Sequence, residues 1–254
     1  MRVKLCLLLL ILTFLMPASI YAEEIQKKKL AIVIDDFGNN MKGTDEILGL
    51  PVNLTIAVMP FMPSTKEDAE KAYDNGHEVI VHMPMEPKAG KRSWLGPGAI
   101  TSDLSNAEIR KRTEEAIRNV PHAVGMNNHM GSKITEDERA MRIILNVCKE
   151  QGLYYLDSKT SGKSVIGKLA NEIGVPVLEN NIFFDDMYTM SHVTKQANLV
   201  AKNLLNNEQF IAIGHVGVPG PTTSTVLKKY IPVYKERANI VSLSKLIPGF
   251  EWVD

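Results

Sequence analysis

The chain has 254 residues, 44% of them hydrophobic, with 29 basic side chains against 29 acidic ones. That content suits one sizeable core rather than two, and the even charge excludes a polycationic surface for nucleic acid. Of its two cysteines, Cys6 lies in a segment expected to be removed, so Cys148 is left without a partner for an intrachain disulfide.

Residues 1 to 22, MRVKLCLLLLILTFLMPASIYA, have a basic start (Arg2, Lys4), an apolar run and a small residue at Ala22, the pattern of a secretory signal peptide. The run from Leu5 to Met16 is shorter than the ~20 residues of a spanning helix. Cleavage and export, to a periplasm or the extracellular medium, are therefore expected, with no stable membrane span afterwards. Removal takes two basic residues from 29, leaving 27 against 29 acidic and a net charge of −2, which fits a neutral or sugar-like partner. EEIQKKK, residues 23 to 29, reads as a polar leader, and residues 30 to 254 as one catalytic-size domain.

From Leu30 onward, short β-branched runs alternate with longer amphipathic ones. Strands are expected at 30 to 35, 53 to 59, 78 to 83, 122 to 126, 153 to 157, 175 to 179, 209 to 215 and 239 to 244. The clearest helices start at Ser64, Ser105 and Thr135. Ser105 with Glu108 and Thr135 with Glu138 have capping-box spacing, and Gly76 and Gly152 supply stops. Repeated strand–helix–strand units without a dinucleotide fingerprint predict an α/β fold, a distorted (β/α) barrel of about seven parallel strands, with a doubly wound open sheet as the alternative. Residues 84 to 105, rich in glycine and proline and carrying Trp94, read as a working loop over one face. Residues 214 to 226 read as either a mobile lid or a stiff loop, since Pro219 and Pro221 restrain a backbone that the glycines free.

In parallel α/β folds the ligand-handling residues collect where strands end. The predicted strand ends carry Asp35 and Asp36, His82, the run Asn127, Asn128 and His129, then Asp157, the pair Asp185 and Asp186, and His215. His77, His122 and His192 fall in predicted turns or at a helix start and are expected at the surface. Two histidines and a carboxylate around an open site suit zinc, with positions left for water and substrate. Alternation along a strand places Asp35 and Asp36 on different sides, with separate tasks. One can hold the metal while the other takes a proton from water, and a histidine opposite protonates the leaving group, which describes an amidase or esterase.

These residues, in this order, resemble the polysaccharide deacetylase superfamily, and more closely its divergent branch of exported bacterial proteins, over about residues 30 to 247. IDDFG resembles the first family motif, which implies Asp35 as general base and Asp36 as metal ligand. GHEVIVHMPME resembles the second, with His82 as the first metal histidine and Glu86 standing where the second histidine is expected. NNHMG matches the third, placing His129 where the family has proline. The resemblance thus implies His129 as the replacement ligand, with Glu86 as the competing candidate. LDS at Asp157 resembles the fourth motif and IAIGH the fifth, with His215 as the acid. The family's arginine, which orients the base, is missing at Asn127, and Lys133, Arg92 and Lys159 are the candidate substitutes.

The resemblance implies a zinc-dependent hydrolase that removes N- or O-acetyl groups from an envelope or extracellular polysaccharide, with Trp94 and Trp252 available to sugar rings. The alternative is a polysaccharide-binding or envelope-assembly protein on the same scaffold without turnover, motivated by the missing arginine and by Glu86.

Overall fold

The computed structural model describes residues 28 to 250; the expected signal segment, residues 23 to 27 of the leader, and Trp252 lie outside the described residues. The leader ends earlier than expected, because Lys28 and Lys29 belong to strand β1 (Lys28–Phe37), where they pair with Ala238 and Asn239 of β9 (Ala238–Val241). Their charges do not prevent this, since Lys29 extends its stem and donates from Nζ to the Lys245 carbonyl at 2.8 Å.

The remaining strands are β2 (Thr55–Val58), β3 (Glu78–Met85), β4 (Ala123–Met130), β5 (Tyr154–Asp157), β6 (Val177–Glu179), β7 (Ile182–Phe183) and β8 (Gln209–His215). All pairings are parallel, in the order β6-β5-β4-β3-β2-β1-β8-β7, with β9 added to β1 below β2. The sheet curls into an incomplete barrel whose ends, β6 and β7, are joined only by Asn180 and Asn181. This is the distorted parallel barrel read from the sequence, with eight strands around the curl rather than about seven. The extra strand is β7, two residues in NIFF that are too short to show an alternation.

Among the described residues seven helices cover the outside: α1 (Thr44–Leu48), α2 (Thr65–Asp74), α3 (Asn106–Asn119), α4 (Glu138–Glu150), α5 (Ile166–Ile173), α6 (Met190–Asn203) and α7 (Gly220–Arg237). Alternation along β1 divides the core in two. Leu30, Ile32 and Ile34 join the layer beneath the helices, with Ile109, Met141 and Leu227. Ala31 and Val33 face inward with Ala57, Ile80, Leu156 and Ile213. After β9 the chain turns beneath the barrel, where Leu243 and Leu246 fill the lower end of that inner cluster. There Glu78 accepts from Tyr154 Oη at 2.7 Å and Thr55 Oγ1 at 3.0 Å. With the lower end plugged, the inward columns open only where the strands end. Among the described residues no helix is long and apolar enough to cross a membrane.

Ser105 caps α3 as its spacing predicts, accepting from Glu108 N at 3.2 Å. Thr135 does not cap α4. A 3-10 turn over Ile134–Glu136 intervenes, and Asp137, in extended backbone, accepts from Ala140 N at 3.1 Å. Asp137→Ala is accordingly expected to cost about 1 kcal/mol of stability in urea titration, the usual worth of an N-cap. Thr135→Val, at a hydroxyl with no hydrogen-bond partner, is expected to cost less.

His77 is buried rather than at the surface: Nδ1 accepts from Leu54 N at 3.2 Å and Nε2 donates to the Leu48 carbonyl at 3.0 Å. Burial lowers its pKa, which keeps it neutral as that pairing requires. Residues 214 to 226 prove to be a stiff connection. Gly217 N donates to the Lys42 carbonyl at 2.8 Å, and α7 begins at Gly220, where a Cβ would lie 2.2 Å from that same oxygen.

Candidate active site

Five inward positions reach the open end: Asp35 on β1, His82 on β3, Asn127 and His129 on β4, and His215 on β8. Register explains the grouping, because Asp35 pairs with His215, His82 with Asn127, and Pro84 with His129. Asp36 joins them through a break in the strand. Between Ile34 and Phe37, β1 uses one residue more than β2, and Asp36 takes φ 71, a conformation aspartate tolerates better than most residues. Both acids therefore reach one site, as the division of tasks between them requires, but through a bulge rather than through plain alternation. The turn that follows is held by Asp68, which accepts from Gly38 N at 2.8 Å. Gly38 has φ 114, and a Cβ there would lie 2.8 Å from the Met59 carbonyl.

A second bulge shifts β4. Val79 pairs with Ala123 but Val81 with Met126, so β4 carries an extra residue near Gly125. Any Cβ at Gly125 would strike the Tyr154 ring at 2.5 Å. Past the bulge the phase is reversed: Met126 turns toward the helices, and Asn127 and His129 turn inward.

Asp36, His82 and His129 form the cluster able to hold a cation. Asp36 Oδ1 lies 2.9 Å from His129 Nδ1 and 3.2 Å from His82 Nε2, and the two imidazole nitrogens are 3.2 Å apart. Their other nitrogens are engaged. His82 Nδ1 meets Asn127 Oδ1 at 2.7 Å, and His129 Nε2 meets the Trp94 carbonyl at 3.2 Å. Both outer partners accept, so His82 Nδ1 and His129 Nε2 carry hydrogens, and the other two nitrogens present lone pairs beside a carboxylate oxygen. Three acceptors face one another, and a cation or a shared proton must lie among them. Two imidazoles and one carboxylate, with outer partners fixing each tautomer, are a donor set that fits zinc.

Burial tends to raise the Asp36 pKa, but with a proton shared among the three groups the hydrogen bonding to His129 and His82 outweighs it and holds the carboxyl well below its usual range. At Asp35, buried and with no salt-bridged lysine or arginine among the described residues, burial wins and the pKa rises. His215 donates from Nδ1 to Asp185 at 2.7 Å, while Asp185 also accepts from His215 N at 2.8 Å and Thr223 Oγ1 at 2.6 Å. Burial opposes charge on this ring, but Asp185, with Asp36 and Asp35 behind it, raises its pKa to about 10. The site thus holds a buried carboxyl and an imidazole whose surroundings favour its protonated form, beside a ligand cluster.

The other sequence candidates lie outside the cluster. Glu86 accepts from Ser102 N and Oγ at 2.7 Å and pairs with Lys133 at 2.8 Å, which together overcome burial and lower its pKa to about 2. It ties the roots of two loops together. Asn128 faces the other way, donating to the Met130 carbonyl at 2.8 Å. Asp157 alternates away from inward Leu156 and accepts from Lys159 N at 2.7 Å. Asp186 pairs with His192 at 2.6 Å, and His122 stacks on Tyr73 at 3.9 Å. Of the proposed arginine substitutes, Lys133 is on Glu86 and Lys159 is 3.3 Å from Glu179; the Arg92 side chain lies outside the described set. The group that reaches Asp35 is Asn127, with Nδ2 at 2.9 Å. Nothing in the one-dimensional pattern marks that contact, though His82 and Asn127 could have been matched had the β4 bulge been foreseen. The long loop brings its backbone rather than a ring to the site: the Trp94 carbonyl is on His129 and the residue as a whole is 58% exposed.

The sequence model of the divergent polysaccharide deacetylases matches residues 32–247. The chain belongs to that family. The uncharacterized protein YibQ of Escherichia coli K12 is 36% identical over 219 residues, 86% of this chain and 67% of that protein. The structure of an uncharacterized protein from Agrobacterium tumefaciens C58 superposes with a TM-score of 0.81 at 19% identity, over 88% of this chain and 91% of that one. A chitin deacetylase from Colletotrichum lindemuthianum gives 0.53 at 16% identity, over 88% and 89%. A CE4 family pseudoenzyme from Bacillus anthracis gives 0.51 at 14%, over 87% and 65%. At these identities the solved structures establish a shared fold alone, and the chemistry rests on this chain's own residues.

Proposed function

We propose that this protein is an exported, metal-dependent hydrolase that removes acetyl groups from a polysaccharide of the cell envelope or its surroundings. Family membership supports the deacetylase class, and the signal-like sequence of residues 1 to 22 supports export. The observation that carries the reading is the convergence of Asp36, His82 and His129 beside buried Asp35 and imidazolium-forming His215.

Asp36, His82 and His129 would hold the cation, for which zinc suits the donor set. When bound, it supplies a Lewis acid that polarises the acetyl carbonyl and lowers the pKa of water. Asp35, whose carboxylate is lifted by burial, takes the proton of the attacking water. Asn127 fixes that carboxylate from one side. His215, aimed by Asp185 and protonated at neutral pH, delivers a proton to the departing sugar nitrogen or oxygen. Burial of the Asp35 carboxyl keeps bulk water from competing for its proton.

The test is acetate release. Zinc-loaded mature protein is expected to liberate acetate from at least one acetylated glycan in an N- and O-acetylated panel. Release from none, with the metal shown to be bound, would favour a polysaccharide-binding scaffold without turnover. The two features that motivated that alternative now have structural counterparts. Asn127 stands against Asp35 in place of arginine, and His129 completes the cluster that Glu86 does not enter.

A further inference from the structure

We propose that the Asn127 side chain is a positioning residue that joins the ligand cluster to the base through one amide. The inference rests on the site described above and deepens it. Asn127 is fully buried, and both ends of its amide are used: Nδ2 donates to Asp35 Oδ1 at 2.9 Å, and Oδ1 accepts from His82 Nδ1 at 2.7 Å.

The two bonds fix each other. A carboxylate only accepts, so the amide must present Nδ2 to Asp35 and therefore Oδ1 to His82. A carbonyl oxygen only accepts in turn, so His82 must carry its hydrogen on Nδ1 and point the lone pair of Nε2 at Asp36 and His129. His82 Nδ1 is also 3.7 Å from Asp35 Oδ1, too long for a hydrogen bond, and the Asn127 amide bridges the two from the side. Without that amide, His82 could turn Nδ1–H directly to Asp35, moving the ligand nitrogen and occupying the base. Asn127 thus holds the imidazole and the carboxylate apart while orienting both. A lysine or arginine on Asp35 would orient the base but, being a donor only, could not set the His82 tautomer. The asparagine is therefore matched to a site in which ligand and base share a neighbour.

Two variants of nearly the same shape separate the tasks. Asn127→Leu removes both bonds. Asn127→Asp keeps an acceptor for His82 but sets an anion against Asp35. For Asn127→Leu, chelator competition should show zinc binding weakened about 10–100-fold, the usual cost of losing an outer partner of a ligand. Nitrogen-15 spectra of histidine-labelled protein should show the Nδ1–H form of His82 lost. Asn127→Asp should keep that tautomer and bind zinc within about threefold of wild type, while kcat for acetate release falls about 100-fold at little-changed KM, a typical effect of a misplaced catalytic group.

Retention of the tautomer and zinc affinity in Asn127→Leu would overturn the proposal. So would an equal loss of zinc in the two variants, which would reduce Asn127 to packing. The tautomer and zinc readings do not require turnover, so a wild-type protein that releases no acetate would count against the proposed reaction and leave these two arms decisive.

Discussion

Asp36→Ala, His82→Ala and His129→Ala are each expected to weaken zinc binding by more than about 100-fold, beyond the 10–100-fold typical of outer partners. Glu86→Ala should leave zinc affinity unchanged. The contrast follows from where the atoms are. Asp36 Oδ1, His82 Nε2 and His129 Nδ1 lie within 2.9 to 3.2 Å of one another. Glu86 spends both oxygens on Lys133 and Ser102. Metal content by elemental analysis and affinity by chelator competition check both halves. Loss of zinc in Glu86→Ala with retention in His129→Ala would reverse the ligand assignment. Glu86→Ala should register in folding instead. Its pKa is depressed from 4.5 to about 2, so its folded-state interactions are fully present above about pH 4.5 and fade as pH falls toward 2. The variant should therefore be less stable than wild type at neutral pH, with the difference shrinking in acid.

Much of this arrangement was legible because parallel sheets place chemistry at strand ends, and the polar residues of LAIVIDD, EVIVHM and QFIAIGH sit at the ends of β-branched runs. The alternation of Ala31 and Val33 inward, Ile32 and Ile34 outward, leads to Asp35 without further help. What the pattern hides are changes of phase. The bulge at Asp36 brings in a side chain that strict alternation sends elsewhere, and the bulge near Gly125 decides that Asn127 and His129, rather than Asn128, face inward. Each depends on contacts remote in sequence, Gly38 with Asp68 in one case and Gly125 with Tyr154 in the other. Capping shows the same limit. Thr135 and Asp137 both suit the start of α4, and a 3-10 turn packed against the β3 loop chooses Asp137: Ile134 N reaches the Glu86 carbonyl at 3.3 Å. The absent arginine directed attention to Lys133, Arg92 and Lys159, whereas the side chain found at 2.9 Å from Asp35 is the asparagine at the same point of the motif.

Asp35→Asn should separate catalysis from metal binding. It keeps the shape of a side chain buried beside the cluster, so zinc affinity is expected to stay within a few-fold of wild type, whereas kcat for acetate release should fall about 10²–10⁴-fold, the usual worth of a positioned general base. His215→Gln should lose a similar factor by removing the proposed proton donor, which stands beside Asp35 on the neighbouring strand rather than opposite it as the sequence suggested. Asp185→Asn, which leaves His215 in place but replaces the carboxylate holding its Nδ1–H, should fall less. The pair Asp35→Asn and His215→Gln should lose less than the product of the single losses, because base and acid act on one reaction coordinate. Unchanged acetate release in Asp35→Asn would remove it from the mechanism, while unchanged biological function despite lost acetate release would shift the protein's role from turnover to binding. Asp35 and His215 are cross-strand partners on neighbouring parallel strands, with the cluster reached from one side and Asp185 from the other. In the proposed reaction that placement would let a water be deprotonated and a leaving group protonated at one acetyl group without either residue having to move between the two tasks.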